Sequence, residues 1–359
     1  MNADALVRVS WLILQVALAA GLVLLFAHAL AVIVVRRHRA PRVERGQRAL
    51  YALLQPVAGA RSPLADHERA RLFGHLARLS GTEQEEVLAP IAQSLTPEAC
   101  EPIRSIAAEI GLLDRAMAWC RSPRWSTRLR GARLCSALCS GESAMVHRLR
   151  DRHPAVRAQA ADWAARHATP DVVARLLEMI DDPDAFSRFA VQDALLRLGN
   201  DVVEPLAMFL ESRDGPAIEP AIRVASAIPH PRFLAAAIRH SGSDRPAVRV
   251  RAMNLLGSIG GSEVARLLVE HIEDDSADVR AAALRALGRI GHWPRAPEMA
   301  DRMRDTSWDV RRAAGLALRD LGSPGILMLR RMTRDANSFA SDMAMQVLDL
   351  PAGVGGEFS

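Results

Sequence analysis

Three stretches of this chain are near copies of one another and decide its fold: PAVRVRAMNLLGSIG from Pro246, ADVRAAALRALGRIG from Ala277 and WDVRRAAGLALRDLG from Trp308. They share an arginine at one position, and these arginines are 31 residues apart: Arg249, Arg280 and Arg311. A fixed period of this length is typical of repeat proteins, in which each unit is one supersecondary structure. The sequence therefore predicts an array of similar units.

Each copy has the pattern of an amphipathic helix. Within the middle copy, apolar residues recur at helical spacing: Val279, Ala282, Ala283, Leu287 and Ile290. A single helical hairpin cannot bury such a stripe, so neighbouring hairpins must stack. Extending the period in both directions predicts about ten hairpins between residues 64 and 350. The predicted fold is all-α, an α-solenoid of stacked hairpins.

Glycine and proline mark the expected helix ends. Glycines suited to a left-handed conformation follow predicted helices at Gly111, Gly199, Gly260, Gly291 and Gly322. We interpret the glycines of LGSIGGS, from Leu256, as further helix ends and not as a nucleotide-binding loop, because they follow a helix. Prolines preceded by a capping side chain predict helix starts at Thr96–Pro97, Thr169–Pro170, Asp182–Pro183 and Ser323–Pro324.

An aspartate followed by Val-Arg, Ala and Leu-Gly, as from Asp274 to Gly288, resembles the HEAT-repeat family, in particular the short repeats of bilin lyases. The resemblance implies that the second helix of each hairpin lines a concave face. It also implies a ladder between the turn aspartate and the following arginine: Asp181 or Asp182 with Arg188, Asp244 with Arg249, Asp275 with Arg280, and Asp305 with Arg311. At Glu219 and Asp342 the ladder arginine is missing.

Residues 11–35 contain no charged side chain. As a helix this segment is about 37 Å long, enough for a hydrocarbon core of roughly 30 Å. Arginines follow it at Arg36, Arg37, Arg39, Arg42, Arg45 and Arg48, whereas Arg8 stands alone before it. We therefore predict an uncleaved single-pass anchor in the inner membrane, with the N-terminus outside and the repeats in the cytosol. Gln15 and His28 lie within the span, and the sequence leaves open whether they contact a partner helix.

These features divide the chain into five predicted segments. A short extracytoplasmic N-terminus at 1–10 precedes the transmembrane helix at 11–35 and a basic linker at 36–63. The repeats occupy 64–350, and a flexible tail occupies 351–359. The aromatic content of 4% agrees with a core of small aliphatic side chains packed between helices.

The net charge of +5 has a local origin. All 46 basic residues are arginines, and residues 1–50 hold seven of them against two acids. Residues 51–359 hold 39 arginines and 39 acids, so the repeat region is neutral overall. We interpret the basic balance as a juxtamembrane feature and not as evidence for nucleic-acid binding.

No catalytic motif is recognisable. The sequence has no nucleophile elbow, P-loop or HExxH motif. The four cysteines are too few for a disulfide scaffold in a chain of this length, so they are predicted to be reduced. Cys135 and Cys139 with His147 and His153 do not have zinc-finger spacing, so this pair is predicted to be buried in the core. We therefore expect neither an enzyme nor a cofactor, metal site or small-molecule substrate.

Charge blocks and tryptophans give the candidate binding residues. The segment from Arg115 to Arg157 carries +8, the segment from Asp171 to Glu219 carries −7, and the segment from Arg302 to Arg334 carries +5. Trp125 and Trp308 occupy the same repeat position within the two basic blocks. Tryptophan beside arginine is the composition of a binding hot spot. The predicted partner-binding residues are Arg124, Trp125, Arg128 and Arg130, and separately Trp308, Arg311 and Arg312; packing of both tryptophans against the preceding loop is the alternative.

The leading hypothesis is a membrane-anchored scaffold that binds protein partners, as an accessory of an envelope or polysaccharide-synthesis assembly. A nucleic-acid-binding protein is one alternative, because Trp119, Trp125 and Trp163 lie in or beside the +8 block. We do not expect nucleic acid, because the acidic block beside it would repel phosphates. A bilin-lyase-like enzyme is the other alternative, although no chromophore-handling residue can be named.

Overall fold

The computed structural model describes residues 41, 43–48, 66–93 and 100–351. The predicted N-terminus at 1–10, the span at 11–35, the tail after residue 351 and the cap at Thr96–Pro97 lie outside the described residues. So do four of the flanking arginines, Arg36, Arg37, Arg39 and Arg42. Residues 43–48 are helical. In that helix Arg48 pairs with Glu44, and Arg45 Nε donates to the carbonyl of Pro41 at 2.9 Å.

The chain forms two compact units, Met1–Arg148 and Leu149–Ser359. The described helices of the first unit are α1 (Asp66–Ala77), α2 (Gly81–Gln93), α3 (Glu101–Glu109), α4 (Leu112–Cys120), α5 (Trp125–Ala137) and α6 (Glu142–Arg148). Those of the second unit are α7 (Pro154–Ala164), α8 (Pro170–Glu178), α9 (Ala185–Leu198), α10 (Val203–Ser212), α11 (Ile218–Ala227), α12 (Leu234–Ser241), α13 (Pro246–Ile259), α14 (Ser262–Glu270), α15 (Ala277–Ile290), α16 (Ala296–Asp301), α17 (Trp308–Asp320), α18 (Ser323–Met332) and α19 (Ser338–Asp349). The described residues contain helices and turns but no strand, so the all-α prediction is confirmed.

Each repeat of the second unit is a hairpin, whose two helices we call the first and the second helix in chain order. The even-numbered helices from α8 onward are first helices, and the odd-numbered helices from α7 onward are second helices. Second helices of neighbouring repeats contact each other from α13 to α19. The predicted apolar stripe of α15 is buried, with Val279, Ala282, Ala283 and Leu287 fully covered. The stacked-hairpin prediction is therefore confirmed in this unit.

Most of the predicted helix ends are correct. Gly111, Gly199, Gly260, Gly291 and Gly322 all have positive φ, between 58° and 75°. The side chain of Thr169 accepts from Val172 N–H, as a capping residue should. Two predicted starts are shifted, because Asp184 caps α9 in place of Asp182, and Gly322 precedes α18 in place of Ser323.

Two glycines lie inside helices and have a packing role. A Cβ on Gly288 of α15 would lie 2.8 Å from Ala317 Cα of α17. A Cβ on Gly257 of α13 would lie 2.6 Å from Ala286 Cβ of α15. Both distances are shorter than van der Waals contact, so glycine allows these second helices to approach closely. Our interpretation of Gly257 as a helix end is wrong, because α13 continues to Ile259.

The predicted ladder exists, but its carboxylates belong to the following repeat. Arg280 Nε and Nη2 donate to Asp305 at 2.9 Å each. Arg249 binds Asp274 in the same way at 2.9 and 2.8 Å, and Arg157 binds Asp182 at 2.6 and 2.8 Å. Each of these partners lies 25 residues after its arginine. The predicted side-chain pairs within one repeat are therefore wrong.

Within its own repeat, the ladder arginine instead binds a backbone carbonyl. Nη1 donates to the carbonyl six residues earlier at Arg128, Arg157, Arg188, Arg249, Arg280 and Arg311. The ladder aspartate also accepts from the N–H two residues later, as Asp305 does from Ser307 at 2.8 Å. Each complete rung thus joins one second helix to the turn before the next one. The ladder arginines therefore hold the turns and neighbouring repeats in place.

The rungs are interrupted where the sequence departs from the repeat. Glu219 pairs with Arg251 of α13 at 3.4 Å and takes no ladder role. Helix α19 begins at Ser338, 30 residues after Trp308, whereas α13, α15 and α17 begin 31 residues apart. Ser341 therefore occupies the ladder position that we assigned to Asp342.

The predicted membrane localisation requires correction. Within the described ranges no helix has the length and apolar composition to cross a bilayer. The longest of them, α9, α13 and α15, have 14 residues, about 21 Å of helix against a hydrocarbon core of roughly 30 Å. The structure does not support a single-pass inner-membrane protein with its N-terminus outside, and the predicted span at 11–35 lies outside its described part.

Candidate functional site

Trp308 lies on the surface at the start of α17. It is the first residue of this helix and its side chain is 49% exposed. Arg312 lies one turn later, with its guanidinium carbon 5.4 Å from the centre of the Trp308 ring. This is a cation–π distance, and it holds a cation and a large apolar ring together at the surface.

Phe339 extends this surface onto the next second helix. Its side chain is 62% exposed, and the guanidinium carbon of Arg311 lies 4.8 Å from the ring centre. Arg311 itself is only 9% exposed, and its Nη1 donates to the carbonyls of Asp305 and Thr306 at 2.8 and 3.0 Å. Arg311 therefore supports the surface from below. We call Trp308, Arg311, Arg312 and Phe339 the C-terminal cluster.

Asp335 explains why Arg311 faces an aromatic ring. Like the other ladder aspartates, Asp335 accepts a hydrogen bond from the backbone N–H two residues later, that of Asn337, at 3.0 Å. Its carboxylate is bound by Arg304, at 3.2 and 2.5 Å. Arg311 thus lacks a ladder carboxylate, and its buried Nε has no hydrogen-bond partner within the described chain. The ring of Phe339 takes the place of the missing rung.

The N-terminal predicted residues lie around the start of α5 in the first unit. Trp125 is its first helical residue and is 47% exposed, and Arg124 is the residue before it. Arg128 donates to the carbonyls of Ser122 and Pro123 at 3.1 and 2.8 Å. Its guanidinium therefore fixes the turn before the helix, as those of the other ladder arginines do.

Arg130 is occupied by contacts inside the first unit. Its Nε donates to Glu85 of α2 at 2.6 Å, and its guanidinium carbon lies 4.2 Å from the ring centre of Trp119. Of the four residues predicted here, Arg124 and Trp125 are exposed, whereas Arg128 and Arg130 are half-buried. The C-terminal cluster has two exposed aromatic rings, each with an arginine beside it, whereas the N-terminal site has one exposed ring, that of Trp125.

Two further exposed aromatic residues were missed in the sequence analysis. Phe186 and Phe189 lie three residues apart in the first turns of α9, and both side chains are exposed. Phe186 and Phe339 occupy the same position, the second residue of a second helix. In α7, α13, α15 and α17 this position holds alanine or aspartate, so an aromatic residue there was the available signal.

Metal-binding groups and the cysteine thiols were the remaining candidates for chemistry. No group of three or more His, Cys, Asp or Glu within the described ranges could hold a metal ion. All four cysteines are buried thiols, as predicted for Cys135 and Cys139. A hydrogen bond with Cys120, burial and the charge of Cys120 all raise the pKa of the Cys135 thiol, so it stays protonated. Such a thiol is a poor nucleophile.

The tryptophans that raised nucleic-acid binding are mostly covered. Trp163 is fully buried and stacks on His167 with ring centres 4.1 Å apart. Trp119 is half-buried beneath Arg130. Neither ring is free to stack on a base, so Trp125 is the one exposed ring of the three.

Comparison with known proteins agrees with this architecture. HEAT repeats match at residues 142–226, 231–319 and 267–349, which together make up more than half of the chain. The chain belongs to the HEAT-repeat family. A comparison with curated proteins finds no match.

Solved structures with a similar fold include a mutant of Kap121p, at 10% identity and a TM-score of 0.51. The alignment covers 86% of this chain and 43% of that one, so this HEAT-repeat chain spans less than half the length of Kap121p. An engineered protein aligns at 17% identity with a TM-score of 0.38, over 86% of this chain and 98% of that one. The CpcE–CpcF complex of phycocyanin lyase from Nostoc sp. PCC7120 aligns at 18% identity with a TM-score of 0.30, over 66% and 93%. At these identities the likeness to Kap121p concerns the fold alone.

Proposed function

We propose that this HEAT-repeat protein is a scaffold that binds other proteins, without catalysing a reaction. The C-terminal cluster carries the proposal, since exposed Trp308 and Phe339 each have an arginine held against the ring. Tryptophan and arginine are the residues most enriched in binding hot spots. Membership of the HEAT-repeat family supports it, because stacked repeats present extended surfaces that suit binding.

Trp125 with Arg124 is a second contact point in the proposal. Its exposure and its place as the first residue of a helix match those of Trp308. Arg128, Arg130 and Arg311 are proposed to act by holding these surfaces in shape. The pathway we propose is a role as accessory of an envelope or polysaccharide-synthesis assembly.

Replacement of Trp308 by Ala tests the proposal. Truncating a hot spot costs about 2 kcal/mol or more, so we expect about 30-fold weaker binding of captured partner proteins. Trp293→Ala is the matched control, because Trp293 is also exposed but lies in a separate short turn, Trp293–Arg295. Capture from cell extract, followed by titration of each recovered protein, gives the measurement.

The two variants must also be compared by melting temperature. If Trp308→Ala lowered the melting temperature strongly while partner binding stayed intact, Trp308 would be a packing residue and the hot-spot proposal would be wrong. Equal loss of binding in both tryptophan variants would also contradict it, since the effect would then not belong to the cluster.

A further inference from the structure

A groove of about 740 Å³ lies between first helices α16 and α18 of the second unit. Its lining includes four arginines and two exposed or half-exposed apolar side chains: Arg304, Arg330, Arg331, Arg334, Leu327 and Met328. The groove is formed by first helices, whereas Trp308 and Phe339 belong to second helices. It is therefore a separate surface from the C-terminal cluster.

The contacts of the arginines in this region show which of them hold the fold together and which are accessible to a partner. Eight arginines lie between residues 302 and 334. Five of them have partners within the fold: Arg302 with Glu273, Arg304 with Asp301 and Asp335, Arg311 with two carbonyls, Arg312 with the Trp308 ring, and Arg319 with the carbonyls of Val347, Leu350 and Pro351. The positive charge of the segment is thus largely used in holding the repeats together.

The remaining three arginines all line the groove. Arg330, Arg331 and Arg334 are exposed, and within the described chain their side chains have neither a carboxylate nor another hydrogen-bond partner. Two carboxylates of the lining, Asp301 and Asp335, are bound by Arg304 at 2.7 and 2.5 Å. The uncompensated charge at this groove is therefore positive, and it calls for negative charge on an occupant.

Leu327 gives the groove an apolar contact beside these cations. Its side chain is 70% exposed on α18, next to the half-exposed Met328. Pro297 and Ala300 of α16 face the same groove. An occupant that matched both features would carry carboxylates and at least one apolar side chain. A segment of protein supplies both, whereas a nucleic acid would place phosphates beside Leu327 without an apolar anchor.

We propose that the α16–α18 groove binds an acidic peptide segment of a protein partner, with its carboxylates on Arg330, Arg331 and Arg334 and an apolar side chain on Leu327. The inference rests on the proposed scaffold function and gives it a second surface with a defined chemistry. The arginines supply bidentate donors for carboxylates, and the leucine supplies an anchor that fixes the peptide's register.

The test uses the full chain and a short fluorescent peptide of glutamates interrupted by leucines, read by anisotropy. We expect the triple variant Arg330→Gln, Arg331→Gln, Arg334→Gln to bind it about tenfold more weakly, from three exposed charge pairs. Leu327→Ala should weaken binding roughly fivefold. The matched control is Arg78→Gln, Arg152→Gln, Arg266→Gln, which removes three exposed arginines elsewhere and should bind as the unaltered protein does. Circular dichroism and melting temperature confirm that each variant is folded.

Three results would overturn the assignment. The unaltered protein could fail to bind the peptide, the control triple variant could lose as much affinity as the groove variant, or a peptide with alanines in place of leucines could bind equally well. A short DNA duplex that depended on the same three arginines and competed with the peptide would also overturn it, in favour of nucleic acid. If Trp308-dependent capture of partners persisted in any of these cases, the scaffold proposal would stand and the groove assignment alone would fall.

Discussion

The ladder rung is the residue-scale unit that determines how the repeats join. In a complete rung, one arginine binds a backbone carbonyl of its own repeat and the carboxylate of the next. Burial alone would raise the pKa of Asp305, but hydrogen bonds from Arg280 and from Ser307 N–H outweigh it and lower that pKa. The carboxylate is therefore ionised and paired in a largely buried place. Such pairs contribute through the cost of leaving either partner alone.

Asp305→Asn should consequently destabilise the second unit. The change leaves the Arg280 guanidinium without its counter-charge, and breaking a buried pair costs on the order of 3 kcal/mol. Asp301→Asn is the control, since its bond to Arg304 is exposed and worth less than about 1 kcal/mol. Urea unfolding of both variants measures the two free energies. Equal effects would show that burial of the rung does not matter.

At the scale of elements, small residues set the distance between the second helices α13, α15 and α17. Gly257 and Gly288 bring neighbouring second helices together. The first turns of α17 and α19 leave Trp308 and Phe339 exposed, although both residues are large and apolar. Tight packing along the helix and exposure at its start are therefore properties of the same element.

Gly288→Ala tests the close approach. The added Cβ would lie 2.8 Å from Ala317 Cα, so α15 and α17 must separate, at a cost of about 1–2 kcal/mol. Gly74→Ala is the opposite case, because a Cβ there meets no described atom within 4 Å and Gly74 lies inside α1. That variant should be stabilised by about 0.5–1 kcal/mol, since alanine is the better helix former. Thermal unfolding should move the two melting temperatures in opposite directions; a rise for Gly288→Ala would refute the packing argument.

Across the whole molecule, arginines and carboxylates pair with each other inside the fold. The repeat region contains equal numbers of arginines and acids, and the rungs at Asp182, Asp274 and Asp305 recur along the second unit. In all three, burial acts to raise the pKa of the carboxyl, and the arginine with a backbone N–H lowers it by more. The folded protein therefore binds fewer protons than the unfolded chain in the acid range.

The free energy of unfolding should accordingly decrease as the pH is lowered into the acid range. A carboxyl with a lowered folded-state pKa contributes fully above its unfolded pKa, about 3.9, and loses that contribution as the pH falls through the folded value. The free energy of unfolding should be flat from about pH 7 to pH 5 and decline below about pH 4. The difference between the unaltered protein and Asp305→Asn should shrink over the same range. A difference that stayed constant down to about pH 2 would mean that the rung is not ionised.

The sequence by itself determined the repeat, the helical class and most helix ends, because these depend on local patterns of period and backbone preference. Arg249, Arg280 and Arg311 mark the period, and Gly260, Gly291 and Gly322 need only their own φ. Only the tertiary structure decided which aspartate each arginine binds, because the partner lies 25 residues away in the next repeat. It also decided that Arg128, Arg130 and Arg311 are engaged while Arg330, Arg331 and Arg334 face a groove. Such distinctions depend on contacts between stacked helices, which a one-dimensional charge count does not contain.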